Sequence, residues 1–324
     1  MNWLLSVLVV VSCVVAVVAQ APDENSTAAR RARLKAALQE EWEYRLRTYP
    51  ELATAVGDNR YNDRLSDYSP EFFAGEVQHA RQALRIFESI DTTGFPEQER
   101  LSKALMIRDL REQIEAARFK DWEMPVNQMS GIHLGLASLP SDTTFRSVKD
   151  FQDYTARLHQ IPRVLQQATA NMQAGLGEHL VPPRYLLEKA ALQAQDIAGK
   201  SAEDSPFTQP VGKFPAGISE AEQKLLREAI FAAVTQEVSP AYARLAEFLR
   251  SQYAPQGRPE YGLWALPDGD ARYRFNIKQM TTTDMSPEAI HQLGLKQVAE
   301  IEAEMLKLAR QQGYNDLPSF NEYI

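Results

Sequence analysis

Cysteine is nearly absent from this sequence. The single cysteine, Cys13, lies inside the first hydrophobic run, and no other occurs in the chain. Beyond that run the sequence therefore excludes disulfides within the chain, a thiol nucleophile and thiolate metal ligands. The stability of the folded chain must come from its hydrophobic core.

An excess of positive charge is also missing. Lysine and arginine total 35 against 43 aspartate and glutamate residues, which gives a net charge of −8. Contacts along a nucleic-acid backbone need clustered positive charge, so we predict no nucleic-acid partner. The composition, 44% hydrophobic and 24% charged over 324 residues, is typical of a globular protein of one or two domains.

The contiguous motifs of common enzyme classes are absent as well. The sequence contains no HExxH pair, no Walker A loop, no GxGxxG and no GxSxG segment. Its histidines stand far apart, at His79, His133, His159, His179 and His291. No catalytic residue and no metal ligand is therefore assigned from motifs.

The N-terminus has the pattern of an export signal. An apolar run over Leu4–Val18 is followed by the small-x-small sequence Ala19-Gln20-Ala21. We predict that residues 1–21 are a signal peptide and that the mature protein is secreted or periplasmic, with no membrane association after signal removal. An alternative is a lipoprotein signal at Val10–Cys13, but the chain stays hydrophobic after Cys13.

A polar linker is predicted over residues 22–27. It holds the sequon Asn25-Ser26-Thr27, so Asn25 is a candidate glycosylation site in a eukaryotic secretory pathway and has no such meaning in a bacterium.

Apolar residues then recur at three- and four-residue steps, which predicts helices from residue 28 onward. Ser69-Pro70 and Ser286-Pro287 look like helix starts, and Ser239-Pro240 should kink the helix that contains it. A stripe from Ile290 to Leu308 lines the last long helix. The fold class is therefore all-α: one large multi-helix array over residues 28–324.

Three stretches interrupt the helical pattern, at 122–145, 200–217 and 254–285. We expect long irregular loops there, the first with one helical turn and the last with a hairpin around Asp268-Gly269. Binding groups concentrate on loops held by a rigid scaffold. The first and last stretches are therefore candidate cleft walls, although their polar groups could equally satisfy backbone atoms.

Two Glu-x-x-His pairs, Glu76/His79 and Glu288/His291, have the spacing of di-metal sites in helical bundles. Both flank the apolar stripes, so a solvated position is the simpler interpretation. The aromatic residues Trp42, Tyr44 and Tyr49 are interpreted as core anchors.

Several of these segments, in this order, resemble domain-of-unknown-function family 885. They are the Trp42–Asp58 segment, Asn127-Gln128, Leu180–Pro183, Gly262–Gly269 and Thr281–Asp284. The similarity extends from about Leu34 to Ile324.

The resemblance implies a helical fold similar to gluzincin-type zinc peptidases, of which this chain matches the N-terminal half. It also implies export, zinc in the full-length family and action on short peptides. The family's zinc-binding segments lie C-terminal to the end of this sequence, so we expect a chain truncated at its C-terminus, without a cofactor or catalytic residues of its own. As residues on a peptide-cleft wall we single out Asn127, His133, Asp268 and Tyr273.

Two hypotheses follow. In the first, the chain is the N-terminal part of a secreted metallopeptidase-like protein and is itself inactive. In the second, it is a non-catalytic secreted helical protein that binds peptides or another protein. The sequence does not indicate the oligomeric state.

Export gives the first testable prediction. Cleavage after Ala21 should leave a mature chain that begins at or near Pro22. N-terminal sequencing of the secreted protein checks this, and a mature chain that retains Leu4–Val18 would contradict it.

Overall fold

The computed structural model of the protein describes residues 25–324, so the predicted signal peptide and most of the linker lie outside the described residues. The fold is an array of helices, as predicted. Its α-helices are α1 (Thr27–Thr48), α2 (Pro50–Ala55), α3 (Pro70–Glu88), α4 (Glu97–Ala116), α5 (Ile132–Asp142), α6 (Val148–Leu158), α7 (Ile161–Gly177), α8 (Arg184–Gly199), α9 (Glu220–Ala233), α10 (Ser239–Phe248), α11 (Gly269–Thr281), α12 (Pro287–Gln311) and α13 (Leu317–Tyr323). Over residues 25–324 there is no β-sheet, and one isolated parallel bridge joins Pro183 to Arg258.

The Ser-Pro signals do start helices. The Ser69 hydroxyl accepts a hydrogen bond from the Phe72 amide at the start of α3, and Ser286 accepts one from Ala289 at the start of α12. The proline that follows each serine occupies a position whose amide has no partner within the helix, so its missing donor costs nothing there.

The predicted kink at Ser239-Pro240 takes the form of a π-helical turn. Residues 234–238 are wound more widely than an α-helix, and α10 begins directly after them at Ser239. Pro240 has no amide hydrogen to donate to the preceding turn, so one extra residue is accommodated there.

Two of the predicted loops contain helices. The hairpin around Asp268-Gly269 is wrong: Asp268 takes a left-handed conformation (φ 54°) that turns the chain directly into α11. The single helical turn expected within 122–145 is also wrong, because α5 has 11 residues. Pro140 lies near the end of α5, where a missing donor disrupts little of the helix.

The helices enclose two hydrophobic cores. The larger core draws on α5 to α10 and contains Phe151, Leu187 and Tyr242 among its fully buried side chains. The smaller core lies among α1, α3 and α4 and contains Leu34 and Phe87. Residues 50–68 lie between α1 and α3 in the chain but contact the larger core, to which Leu65 belongs.

One buried arginine attaches α11 to the helices before it. The Arg272 guanidinium donates to Asp121 Oδ1 at 2.5 Å and to the backbone carbonyls of Pro267 and Phe119. It also lies over the Phe119 ring, which contacts Phe275. The position of α11 therefore depends on a polar contact and an aromatic contact at the same place.

Apolar side chains are exposed at two places, and the prediction of Trp42 as a core anchor is wrong. The stripe on α12 is exposed, with Val298 at 54%, Ile301 at 57% and Leu308 at 57%, and Ala309 is the one α12 residue that is buried. Trp42 is 42% exposed and is no core anchor. Helical spacing shows that a helix has an apolar face, but it does not show what covers that face. No helix within residues 25–324 has the length and apolar character to cross a membrane.

Two leucines of α8 give a matched test of the larger core. Leu187 is fully buried, whereas Leu192 is 66% exposed. We expect Leu187→Ala to lower the free energy of unfolding by about 2–5 kcal/mol, because it removes apolar contacts and leaves a cavity. Leu192→Ala should change it by less than about 0.5 kcal/mol. Urea unfolding followed by circular dichroism measures both, and equal losses would contradict this core.

Candidate functional site

A cleft of about 560 Å³ lies between α2 and α5. We call it the α2–α5 cleft. A volume of this size suits a small ligand. The polar side chains that line it are Tyr49, Glu51, Thr54, Ser66, Tyr68, Ser130, Ser138, Asp142 and Arg157. The cleft therefore combines one cation and two carboxylates with several hydroxyl groups.

Small residues on one face of α5 leave room for this cleft. Gly131, Gly135, Ser138 and Asp142 recur at three- and four-residue steps, so they lie on the same side of the helix. Gly131 has a further constraint, because a Cβ there would lie 2.6 Å from Cε1 of His133. Any larger residue at 131 would displace either the cleft wall or the histidine behind it.

The opposite wall is held by Arg157 of α6, whose side chain is fully buried. Its Nε donates to the Arg64 carbonyl at 2.8 Å, and its Nη2 donates to Thr54 Oγ1 at 2.6 Å and to the Pro50 carbonyl at 3.1 Å. Both ends of α2 are thus fixed to α6. Burial lowers the pKa of the Arg157 guanidinium, which nevertheless stays protonated at neutral pH.

Each carboxylate of the cleft accepts hydrogen bonds from a nearby serine. Glu51 accepts the Ser66 amide at 3.0 Å and the Ser66 hydroxyl at 2.5 Å. Asp142 accepts the Ser138 hydroxyl at 3.1 Å. Neither carboxylate forms an ion pair with a lysine, arginine or histidine of residues 25–324.

A second cleft of about 420 Å³ shares Tyr49 and Leu52 with the first. We call it the Glu76 cleft. Glu76, on α3, is 7% exposed and accepts one hydrogen bond from the Tyr44 hydroxyl and one from the Tyr49 hydroxyl, the latter at 2.5 Å. Burial and the Glu76 carboxylate both raise the pKa of these two phenols above the ordinary value.

The same cleft contains a carboxylate–imidazole pair. His79 Nε2 lies 2.8 Å from the buried Glu41 carboxylate, and the His79 ring stacks on Tyr44 with 3.4 Å between centroids. Asp109 and Glu112 of α4 complete an acidic lining. Glu76 is therefore buried and His79 is partly exposed, both with polar partners, and the prediction of a solvated position is wrong for Glu76.

The structure brings Asn127 close to His133. Asn127 Oδ1 accepts the amides of Met129 and Ser130 at 2.8 Å each, which shapes the turn before α5. His133 is fully buried, and its Nε2 lies 3.1 Å from Gln193 Oε1. Burial lowers the pKa of His133, so the ring is neutral. Both residues lie behind Ser130 and Gly131 of the α2–α5 cleft and do not line it.

Asp268 and Tyr273 lie at the start of α11 and are exposed, Tyr273 at 48%. Neither lines the α2–α5 cleft or the Glu76 cleft. Asn25 is also exposed, and its carbonyl accepts a hydrogen bond from Arg30 Nε at 3.1 Å. A role for these three residues stays a prediction.

The described residues do not fit a zinc or di-metal site. Among residues 25–324, no three histidine, cysteine, aspartate or glutamate side chains are arranged to hold a metal ion. The oxygens of Glu76 accept tyrosine hydroxyls, and His79 pairs with Glu41. The second pair, Glu288/His291, lies on α12, which is largely exposed.

Residues 50–324 match the protein family described as "Bacterial protein of unknown function (DUF885)". This chain belongs to that family. The match covers all the helices from α2 to α13, including both walls of the α2–α5 cleft. No curated protein matches the chain.

Two solved structures share the fold of this DUF885 member, and both are described as a "putative lipoprotein". The protein from Colwellia psychrerythraea is 23% identical, with a TM-score of 0.75 over 90% of this chain and 52% of its own. The protein from Shewanella oneidensis, of unknown function, is 17% identical, with a TM-score of 0.63 over 88% of this chain and 48% of its own. This chain thus spans about half the length of either.

Sequence reasoning missed Arg157 and gave too little weight to Glu76. Arg157 belongs to no motif, and nothing in its neighbourhood distinguishes it from a surface arginine of an amphipathic helix. Glu76 did carry a signal, the Glu-x-x-His spacing, but its partners Tyr44 and Tyr49 lie 32 and 27 positions away in the sequence.

Tyr49→Phe tests the polar contacts of Glu76. At neutral pH it should lower the free energy of unfolding by about 1.5–3 kcal/mol, because a buried carboxylate loses a donor. The raised folded-state pKa of Tyr49 adds a pH effect: stability is fully present below the phenol's unfolded pKa of about 10 and is lost as the pH rises above it.

Between pH 9 and 11 the wild type should therefore lose stability more steeply than Tyr49→Phe. Urea unfolding at several pH values measures both slopes. Tyr323→Phe is the control, since that side chain is 71% exposed. Equal slopes for the wild type and Tyr49→Phe would contradict a buried phenol at Glu76.

Proposed function

We propose that this chain is the N-terminal part of an exported, peptidase-like protein and that its own contribution is to bind short peptides in the α2–α5 cleft. Membership of the DUF885 family supports this proposal, because the sequence resemblance to that family implies a relationship to zinc peptidases. The proposal separates binding, for which the described residues offer a site, from hydrolysis, for which they offer no metal ligands.

The observation that carries the proposal is the chemistry of the α2–α5 cleft. A peptide in water presents a carboxylate, an ammonium group and a row of amide donors and acceptors. The cleft, with a volume of about 560 Å³, is lined by a guanidinium, two carboxylates and several hydroxyl groups. Such a combination suits a short zwitterionic chain, and the apolar residues Leu52, Ile132 and Leu136 that also line the cleft would contact its side chains.

An extracytoplasmic location is part of the same proposal. The apolar run over Leu4–Val18 and the Ala19-Gln20-Ala21 site favour export. The two proteins of similar fold are each described as a "putative lipoprotein", which is consistent with a location in the cell envelope. The substrate would then be a peptide of the periplasm or the extracellular medium.

The exposed face of α12 favours a second candidate function, binding of another protein. Its apolar side chains Leu293, Val298, Ile301, Met305 and Leu308 are between 37% and 57% exposed. A contiguous apolar stripe of this kind is typical of an interaction surface. This candidate does not compete with peptide binding, because α12 and the α2–α5 cleft share no residues.

The test uses purified residues 22–324 with excess zinc. We expect the protein to bind members of a dipeptide-to-hexapeptide library in native mass spectrometry, to retain no stoichiometric zinc and to show no turnover, since peptide hydrolysis by zinc needs three protein ligands and an open position.

One tightly held zinc ion per chain together with measurable hydrolysis would show that this half carries its own active site. If no peptide in the library binds, the peptide-binding function is overturned. Binding of a protein partner that Ile301→Asp abolishes, without peptide binding, would favour the second candidate.

A further inference from the structure

Arg157 is a buried cation without an anionic partner. Its side chain is fully buried, yet no aspartate or glutamate among residues 25–324 forms an ion pair with it. Its hydrogen-bond acceptors are three backbone carbonyls and the Thr54 hydroxyl. These groups solvate the guanidinium but form no ion pair with it, and a buried charge is normally paired.

The nearby carboxylates do not fill this role. Glu51, Asp63 and Asp153 act on Arg157 only through space. Glu51 is engaged by Ser66, and Asp153 pairs with Lys149 at 2.6 Å. The protein therefore surrounds Arg157 with negative potential without placing an oxygen anion on it.

One nitrogen of the guanidinium has no acceptor among the described residues. Nε and Nη2 make all the hydrogen bonds that Arg157 forms with residues 25–324, so Nη1 donates to none of them. Arg157 also lines the α2–α5 cleft. A nearly fully buried, unpartnered donor of a charged group at the wall of a cleft is the kind of group that a bound anion completes.

We propose that Arg157 binds the free α-carboxylate of a short peptide in the α2–α5 cleft. This inference rests on the proposed function and narrows it, because it makes a free C-terminus a requirement. A carboxylate oxygen on Nη1 would supply the missing acceptor and a direct ion pair. The guanidinium is already fixed by its other hydrogen bonds, so binding costs little ordering of the side chain.

The other charges of the cleft suit the opposite end of the same ligand. Glu51 and Asp142 each accept hydrogen bonds from one serine and have no cationic partner among residues 25–324. With Arg157 they give the cleft a net charge of about −1, which would repel a simple anion. A zwitterion avoids this repulsion, because its ammonium group is attracted to the carboxylates while its carboxylate binds Arg157.

Chemical variants of one peptide test the inference on the unaltered protein. Isothermal titration calorimetry compares trialanine with its C-terminal amide on purified residues 22–324 at neutral pH and low salt. We expect the amide to bind at least about tenfold more weakly, because it loses a charge-assisted hydrogen bond and leaves Arg157 unpaired. An amidated peptide with a central aspartate shows whether a side-chain carboxylate can replace the α-carboxylate. If this peptide binds as tightly as trialanine, the assignment of an α-carboxylate site is overturned.

Two arginine variants test whether Arg157 causes the preference for the free acid over the amide. Arg157→Lys retains the charge but not the planar fork, so it should lower the preference for the free acid over the amide by about tenfold. Arg111→Lys is the matched control, because Arg111 is exposed and pairs only with Glu88. It should leave the preference unchanged. Circular dichroism shows whether Arg157→Lys is folded; if it is not, the acid and amide comparison on the wild type still decides.

The outcomes separate the two proposals. If no form of trialanine binds, and no member of the library does, the proposed function fails and this inference fails with it. If acid and amide bind equally, peptide binding stands and the inference is overturned. If the acid is preferred and folded Arg157→Lys keeps the full preference, the carboxylate binds elsewhere and the assignment to Arg157 is overturned.

Discussion

Burial of the Arg157 guanidinium constrains the structure around the candidate site. Taking a guanidinium out of water is unfavourable unless its donors find acceptors. Here the acceptors come from Pro50, Thr54, Tyr61 and Arg64, so the chain from α2 to residue 64 must fold back over α6. That fold-back places Thr54, Glu51 and Ser66 on one wall of the α2–α5 cleft. The structural role and the proposed ligand role of Arg157 use different nitrogen atoms, which is why one residue can serve both.

Fixing α2 in this way also connects the two clefts. Tyr49, which precedes α2, lines both of them and donates its hydroxyl to Glu76. The buried Glu76 side chain accepts hydrogen bonds from two phenols, and burial and this acidic neighbour raise the pKa of both phenols. A shift of α2 would therefore alter the α2–α5 cleft and would also remove one of the two donors to Glu76. The hydrogen bonds of the two clefts thus join α1, α2, α3 and α6.

The sequence predicts local features of this fold well and its long-range contacts poorly. Ser69-Pro70 and Ser286-Pro287 start helices because a cap depends on residues three positions apart. Asp268-Gly269 was interpreted as a hairpin turn because a positive φ is local, whereas the direction taken afterwards depends on how Arg272 packs against Asp121, 151 positions earlier. Arg157 contacts residues about 100 positions away, so no spacing pattern could identify it. The loop residues Asn127 and His133 were placed near the cleft, but the groups that line it there are their neighbours Ser130 and Gly131.

The exposed face of α12 is a second feature for which local spacing does not predict the contacts. Residues 298, 301, 305 and 308 recur at alternating three- and four-residue steps, and all four are exposed. This spacing is typical of the face along which one helix packs against another. Within residues 25–324, α13 packs on the end of α12, and Ala309 alone is buried. The cleft, by contrast, takes its shape from contacts made within the described helices, Arg157 above all. Peptide binding in the cleft therefore does not depend on a partner that covers the α12 face. The described residues leave that face largely exposed.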